Sequence, residues 1–153
     1  MNGNVSILIK GIVIGEEESR IITKATGQYH WLDGVHILKY MESAVKKDEN
    51  SDTMYKDSIS IDEDCVNTIK ISTEAVEMIK TGENSTHMVF NLSSPTQSIY
   101  DTPYGSLYFD IKTTRIDIEE NKNELILNME YFLYHEDSYI SDNRIYLKIN
   151  EAD

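Results

Sequence analysis

Along most of this chain apolar side chains recur at every second position, the period of a strand with one buried face and one wet face. Val5, Ile7 and Ile9 alternate with polar neighbours, and Ile12, Val13 and Ile14 continue the run past Gly11. A charged turn follows at Gly15-Glu-Glu-Glu-Ser19. The segments 20–32 and 35–42 then predict a hairpin, because the Asp33-Gly34 pair between them suits a two-residue turn with both residues at positive φ. Further strands are predicted over 68–73, 75–80 and 86–92, with Thr81-Gly-Glu-Asn84 as a turn. In the last of them Met88, Phe90 and Leu92 share a face.

The second half of the chain reads as a meander. Turn chemistry at Pro103 and Gly105 opens a strand in which Leu107, Phe109 and Ile111 alternate with polar residues. The apolar set then moves to even numbers at Ile116 and Ile118, which predicts a bulge near Thr113-Thr114. Leu125, Leu127, Met129, Tyr131 and Leu133 form one face of the next strand, and Ile145, Leu147 and Ile149 one face of the last. Pairing 129 with 145, 127 with 147 and 125 with 149 puts both sets on one side. That register implies a three-residue loop at Glu136-Asp-Ser138 or a bulge near 141–143.

From 46 to 64 the chain turns polar and acidic, and it is expected as a long exposed loop with a short strand at 58–62. A two-turn helix over 43–50 is the alternative there. With about 8–10 strands, short connections and no crossover helices, the fold expected over residues 1–153 is all-β, a single antiparallel β-barrel domain. A β-sandwich is the runner-up.

Composition narrows the function. Net charge is −13, from 27 acidic against 14 basic residues, so no basic stripe exists to meet nucleic acid or an anionic membrane. Cys65 is the lone cysteine, which rules out an internal disulfide. No secretory signal and no apolar run of membrane-spanning length is read, so a cytoplasmic location is expected.

Candidate chemistry can be tested on the Asp33-Gly34 hairpin. A two-residue turn sets Trp31 opposite His36, Tyr29 opposite Leu38 and Gly27 opposite Tyr40, and cross-strand partners share a face. Tyr29, Trp31, His36, Leu38 and Tyr40 therefore form an aromatic side, with Lys24, Gln28, His30 and Lys39 on the wetter one. His30 and His36 point apart and cannot chelate one ion. His87 falls on the polar side of its strand and His135 beside a turn, so no metal site and no cofactor is expected. Cys65 follows Ile-Asp-Glu-Asp64, a setting that disfavours a thiolate, and no Gly-x-Ser-x-Gly elbow occurs. Arg115, beside the inferred bulge, is placed on the outside. No convergent catalytic set emerges, and an enzyme is not expected.

The inner wall is assigned to Tyr29, Trp31, His36, Leu38, Tyr40, Met88, Phe90, Phe109, Met129 and Tyr131. A small closed barrel either fills its interior with such side chains or keeps one ligand-sized cavity. A ligand for this lining would be small, and apolar or aromatic with one polar group. The alternative is a packed barrel acting as a protein-interaction module, as a monomer or homodimer.

The stretch Thr102-Pro-Tyr-Gly-Ser-Leu-Tyr-Phe-Asp-Ile-Lys-Thr-Thr114, the strands 124–134 and 143–149, and the shorter Thr26-Gly-Gln-Tyr29 and Met88-Val-Phe90 resemble the YwiB-like family of bacterial proteins of unknown function. The resemblance runs from about residue 5 to 149. It implies a lipocalin-like (calycin) barrel in a cytoplasmic protein, with no established activity and no catalytic residues to carry over. The acidic segment 46–64 departs from the family pattern.

Overall fold

The computed structural model describes residues 1–47, 53–82 and 84–152, and no helix occurs among them. Ten strands follow one another: β1 (Gly3–Ile14), β2 (Glu18–Leu32), β3 (Val35–Lys47), β4 (Thr53–Ile71) and β5 (Ala75–Thr81), then β6 (Ser85–Asn91), β7 (Thr96–Thr102), β8 (Gly105–Asn121), β9 (Glu124–His135) and β10 (Ser138–Glu151). Each pairs antiparallel with the next, and β1 also pairs with β10, which closes the sheet into a barrel. The shortest seam is between β6 and β7, which pair only over Ser85 to His87 and Ile99 to Asp101. One parallel contact departs from the meander, where β4 residues Thr53 to Lys56 lie beside β2 residues Arg20 to Thr23.

The two hairpins whose registers could be read in advance form as expected. Trp31 faces His36, Tyr29 faces Leu38 and Gly27 faces Tyr40. Asp33 and Gly34 both adopt positive φ, 49° and 86°, the geometry that makes the strands leave with matching twist. Met129 faces Ile145, Leu127 faces Leu147 and Leu125 faces Ile149. There the turn is two residues, Glu136 and Asp137, both at positive φ, and not the three-residue loop. The register is restored by a bulge at Ile140, between Tyr139 and Ser141. A second bulge falls between Thr113 and Arg115, as the change of parity required. It carries Phe109, Ile111 and Thr113 inward on one side and Ile116, Ile118 and Glu120 inward on the other.

Three expectations are corrected. Residues 46–47 and 53–64 are strand in β3 and β4, not an exposed loop or a helix, and the short strand expected at 58–62 forms as part of the longer β4; residues 48–52 lie outside the described residues. A strand not foreseen, β7, precedes the Pro-Tyr-Gly turn. Leu92 and Leu107 are exposed, because the first lies past the end of β6 and the second at the start of β8.

Inside the barrel the apolar core is continuous. Val5, Ile71, Val76, Phe90, Leu125, Leu127 and Ile149 are all 0% exposed. At about 25 cal/mol per Å² of apolar surface removed from water, this interior is the main source of stability. Gly27 lies on the inner wall at a point of very close approach. A Cβ there would sit 2.3 Å from the Lys39 carbonyl oxygen and 2.9 Å from Ile7 Cδ1, so only glycine fits.

Candidate functional site in the barrel interior

The barrel has two ends. The upper end carries the Asp33–Gly34 and Lys122–Asn123 turns, the start of β1 and the end of β10. The lower end carries the turns at 15–17, 103–104 and 136–137, with the end of β5 and the start of β6. Side chains aimed inward differ sharply between the two halves.

The upper half is packed and apolar, and one polar group closes it. His36 is buried, and its Nδ1 lies 2.6 Å from the Tyr29 hydroxyl, also buried. Its Nε2 is 3.7 Å from a carboxylate oxygen of Glu120, which the bulge in β8 has turned inward. The Tyr29 hydroxyl donating to Nδ1 leaves the other ring N–H aimed at Glu120, so a neutral imidazole satisfies both partners. Burial lowers the His36 pKa, and Glu120 opposes that pull without overcoming it. Burial, then Glu120, raises the Tyr29 phenol. Both groups are thus neutral near pH 7, and the Tyr29 hydroxyl already engages the Nδ1 of His36.

Trp31 packs edge-on against His36, with ring centroids 4.7 Å apart, yet it is 51% exposed. Its place on the inner wall is corrected: the alternation is right, but β2 has run past the rim by that residue.

In the lower half the inward side chains are polar and aromatic. Across five adjacent strands Tyr40 faces Asn67, Asn67 faces Lys80, Lys80 faces Thr86 and Thr86 faces Tyr100. All five share the inward parity of buried neighbours such as Leu38, Ile69, Val76, Phe90 and Ser98. On the facing wall Thr113, Tyr131 and Asn143 stand side by side on β8, β9 and β10. Asn143 Nδ2 donates to the Ser141 hydroxyl at 2.9 Å. Although they point inward, Tyr40, Asn67, Lys80, Thr86, Met88, Tyr100 and Phe109 are only half-buried, so water reaches this part of the interior.

Aromatic rings run through the same half. Phe90 meets Tyr131 at 4.8 Å, Tyr100 meets Phe109 at 5.1 Å and Phe109 meets His135 at 5.4 Å between centroids. The Tyr100 hydroxyl donates to Met88 Sδ at 3.6 Å. Burial drives the Tyr131 phenol pKa up, with Tyr100 adding to it. Beside these rings lie polar atoms that have found no mate. Asn67 Nδ2, Ser98 Oγ and Thr113 Oγ1 are buried with no hydrogen-bond partner among the described residues. Ser98 faces Phe109 across β7 and β8, and Thr113 faces Tyr131.

The inner-wall set read from sequence is therefore divided. Tyr29, His36, Leu38, Phe90, Met129 and Tyr131 are buried, with Tyr40 and Met88 packed against the core and Phe109 half-buried below. Asn67, Ser98, Thr113 and Tyr100 were missed. Their signal was parity: Asn67 shares its face with Ile69 and Ile71.

The outside offers less. A cleft of about 540 Å³ lies over the outer wall of β1 to β4, with Asn4, Gln28 and Lys39 among its lining. Arg115 lies outside, paired with Asp117 and 3.7 Å from Glu130, which Arg144 also contacts at 3.3 Å. Among the described residues no group of three or more His, Cys, Asp or Glu is placed to hold a metal ion. No helix among them is long and apolar enough to cross a membrane.

This architecture defines a closed, ten-stranded antiparallel barrel with a sealed upper half and a polar-aromatic lower half. Residues 7–147 match the family model "Domain of unknown function (DUF1934)", and the chain belongs to that family. It is also similar in fold to the ywiB protein from Bacillus subtilis, whose crystal structure superposes with a TM-score of 0.75. The two are 12% identical, over 99% of this chain and 94% of that one. No curated protein matches the chain.

Proposed function

We propose that this protein is a non-catalytic, cytoplasmic binding barrel that holds one small molecule in its lower half. One observation carries the reading: Asn67 Nδ2, Ser98 Oγ and Thr113 Oγ1 are buried without partners among the described residues, on walls that also present Tyr100, Phe109 and Tyr131. A buried polar atom left unpaired costs about 1–3 kcal/mol, and three of them beside half-buried rings are better accounted for by a molecule that satisfies them. Rings supply contact area and the polar atoms fix orientation, the usual division of labour in a small-molecule site. The neutral Tyr29–His36 pair is read as a structural seal at the other end.

Native mass spectrometry of the protein purified from its own host tests this. The expected result is a retained small-molecule mass at one per chain, lost on unfolding. Trp31 stands at the opposite end, so its fluorescence should be the same with and without that mass. A bare polypeptide that also fails to bind naphthalene-based probes would contradict the reading.

A second reading has its own observation. Tyr104, Leu107, Tyr108, Tyr139 and Ile140 are exposed on the two hairpins of the lower rim. They suit an interaction module, and a dimer or a co-purifying polypeptide in the same spectrum would favour it.

A further inference from the structure

We infer that the outer wall of β10, β1 and β2 is a docking face for an acidic segment of a partner protein, one in which carboxylates alternate with apolar side chains. Parity fixes which residues stand on that wall. Val5, Ile7, Thr23, Leu147 and Ile149 are buried inside, so their even-numbered neighbours on the same strands point out. The registers then set nine of these in three rows. Arg144, Ile12 and Arg20 lie side by side, then Tyr146, Lys10 and Ile22, then Lys148, Leu8 and Lys24. Cations hold the four corners and the centre of this block, and apolar side chains hold the positions between them. Five of the 14 Lys and Arg residues gather here with no Asp or Glu inside the block, in a chain of net charge −13. No run of cations along the chain announces it, because the sheet assembles it across three strands. Leu8, Ile12, Ile22 and Tyr146 are half-buried, whereas Lys10, Arg20, Lys24 and Arg144 are exposed. Two open grooves cross the block. One of about 450 Å³ runs along Ser6, Leu8, Lys24 and Lys148, and one of about 280 Å³ along Lys10, Ile12, Arg144 and Tyr146.

Charge and spacing select the occupant. Carboxylates already border the block: Glu130 lies 3.3 Å from Arg144, Glu124 3.5 Å from Lys148 and Glu18 3.2 Å from Arg20. Lys24 has no such partner among the described residues, and Lys10 has only the Tyr146 ring, 5.8 Å from its centroid. A segment bringing further carboxylates completes the pairing at Lys10 and Lys24, while its apolar side chains cover Leu8, Ile12 and Ile22. A nucleic acid would meet the border carboxylates and the overall negative charge, and its phosphates offer nothing to the apolar positions. A second copy related by a two-fold axis would set cation against cation. At the usual strand dimensions the block is about 10 Å across and about 13 Å along the strands, so the contact belongs to the small, transient class.

Fluorescence anisotropy of a labelled peptide of about nine residues, Glu alternating with Leu, tests this on the full chain. The expected result is saturable binding at micromolar strength, weakened about tenfold or more by Lys10→Glu/Lys24→Glu. Both lysines are exposed, so that variant should keep the thermal midpoint of the unaltered chain. A peptide of equal charge with Ser in place of Leu should bind about fivefold or more weakly. Leu8→Ser should weaken the Glu–Leu peptide and leave the Glu–Ser peptide unchanged, which also shows that this variant is folded. Absence of binding, equal binding of the two peptides, or binding untouched by the charge reversal would overturn the proposal. Tighter binding of an oligothymidine of the same length would give the face to a nucleic acid instead, and self-association abolished by the charge reversal would give it to a second copy. Either result would overturn the proposal too.

Discussion

The two halves of this barrel are built from the same strands, yet they obey different rules. Above, inward positions hold Val5, Leu125, Leu127 and Ile149, none of them exposed, and the one polar pair, Tyr29 and His36, is satisfied internally. Below, inward positions hold Asn67, Lys80, Thr86, Ser98, Tyr100 and Thr113, several half-open to water and three with polar atoms unmatched among the described residues. The difference teaches that close apolar packing and inward polar groups are concentrated at opposite ends of the barrel. The packed half offsets the cost of ordering the chain, and the other half tolerates groups that a core alone would not keep.

The largest effects should therefore appear above. Leu127→Ala should cost about 2–5 kcal/mol in chemical denaturation, the range for truncating a fully buried leucine. Met88→Ala in the lower half should cost at or below about 2 kcal/mol, because its side chain is only half-buried. Equal costs would erase the distinction between the halves. Gly27→Ala belongs with the large effects, at about 1–3 kcal/mol, since the added methyl meets backbone at Lys39.

Next comes the seal. Tyr29→Phe removes the donor to His36 and should cost about 1–3 kcal/mol by leaving a buried ring nitrogen unpaired. The same site gives a pH dependence of defined sign. Burial holds the folded imidazole below its ordinary value of 6.5. Above 6.5 both folded and unfolded chains keep it neutral, and the contribution to stability is complete. As pH falls through 6.5 the unfolded chain takes up the proton first, so stability declines until the folded value is passed. His36→Gln should remove that component of the acid loss in urea titrations repeated across this interval. A profile unchanged by the substitution would mean that His36 takes up its proton equally readily in the folded and unfolded chains, which contradicts a burial-lowered value.

The smallest effect should be at Arg115. It lies on the outer wall and pairs with exposed carboxylates, so Arg115→Ala should leave the thermal midpoint unchanged. A clear fall would show that its ion pairs hold the neighbouring bulge in place.

Much of the scaffold could be read from residues alone. The Asp33-Gly34 pair fixed one register because a two-residue turn admits no other facing, and the odd-to-even change after Ile111 located the bulge at Thr114. Alternation says nothing about where a barrel's rim falls, so Trp31 was assigned inside when β2 had already outrun the wall. It also fails where the inward face is polar. Ser98 and Tyr100 give β7 no apolar stripe, and the strand was passed over. Asn67 and Lys80 looked like outward residues by chemistry, although their spacing from Ile69, Ile71, Val76 and Met78 put them inside. The candidate site was illegible for the reason that makes it a candidate: it breaks the rule that assigns polar side chains to water.

The most direct measurement is the thermal midpoint of ligand-free Ser98→Ala/Thr113→Val. If these hydroxyls await a bound molecule, removing them relieves unpaired buried groups, and the midpoint should rise by a few degrees while the retained small-molecule mass is lost. A midpoint lowered by the double substitution would show that both hydroxyls already serve the fold, and the lower half would then be core like the upper.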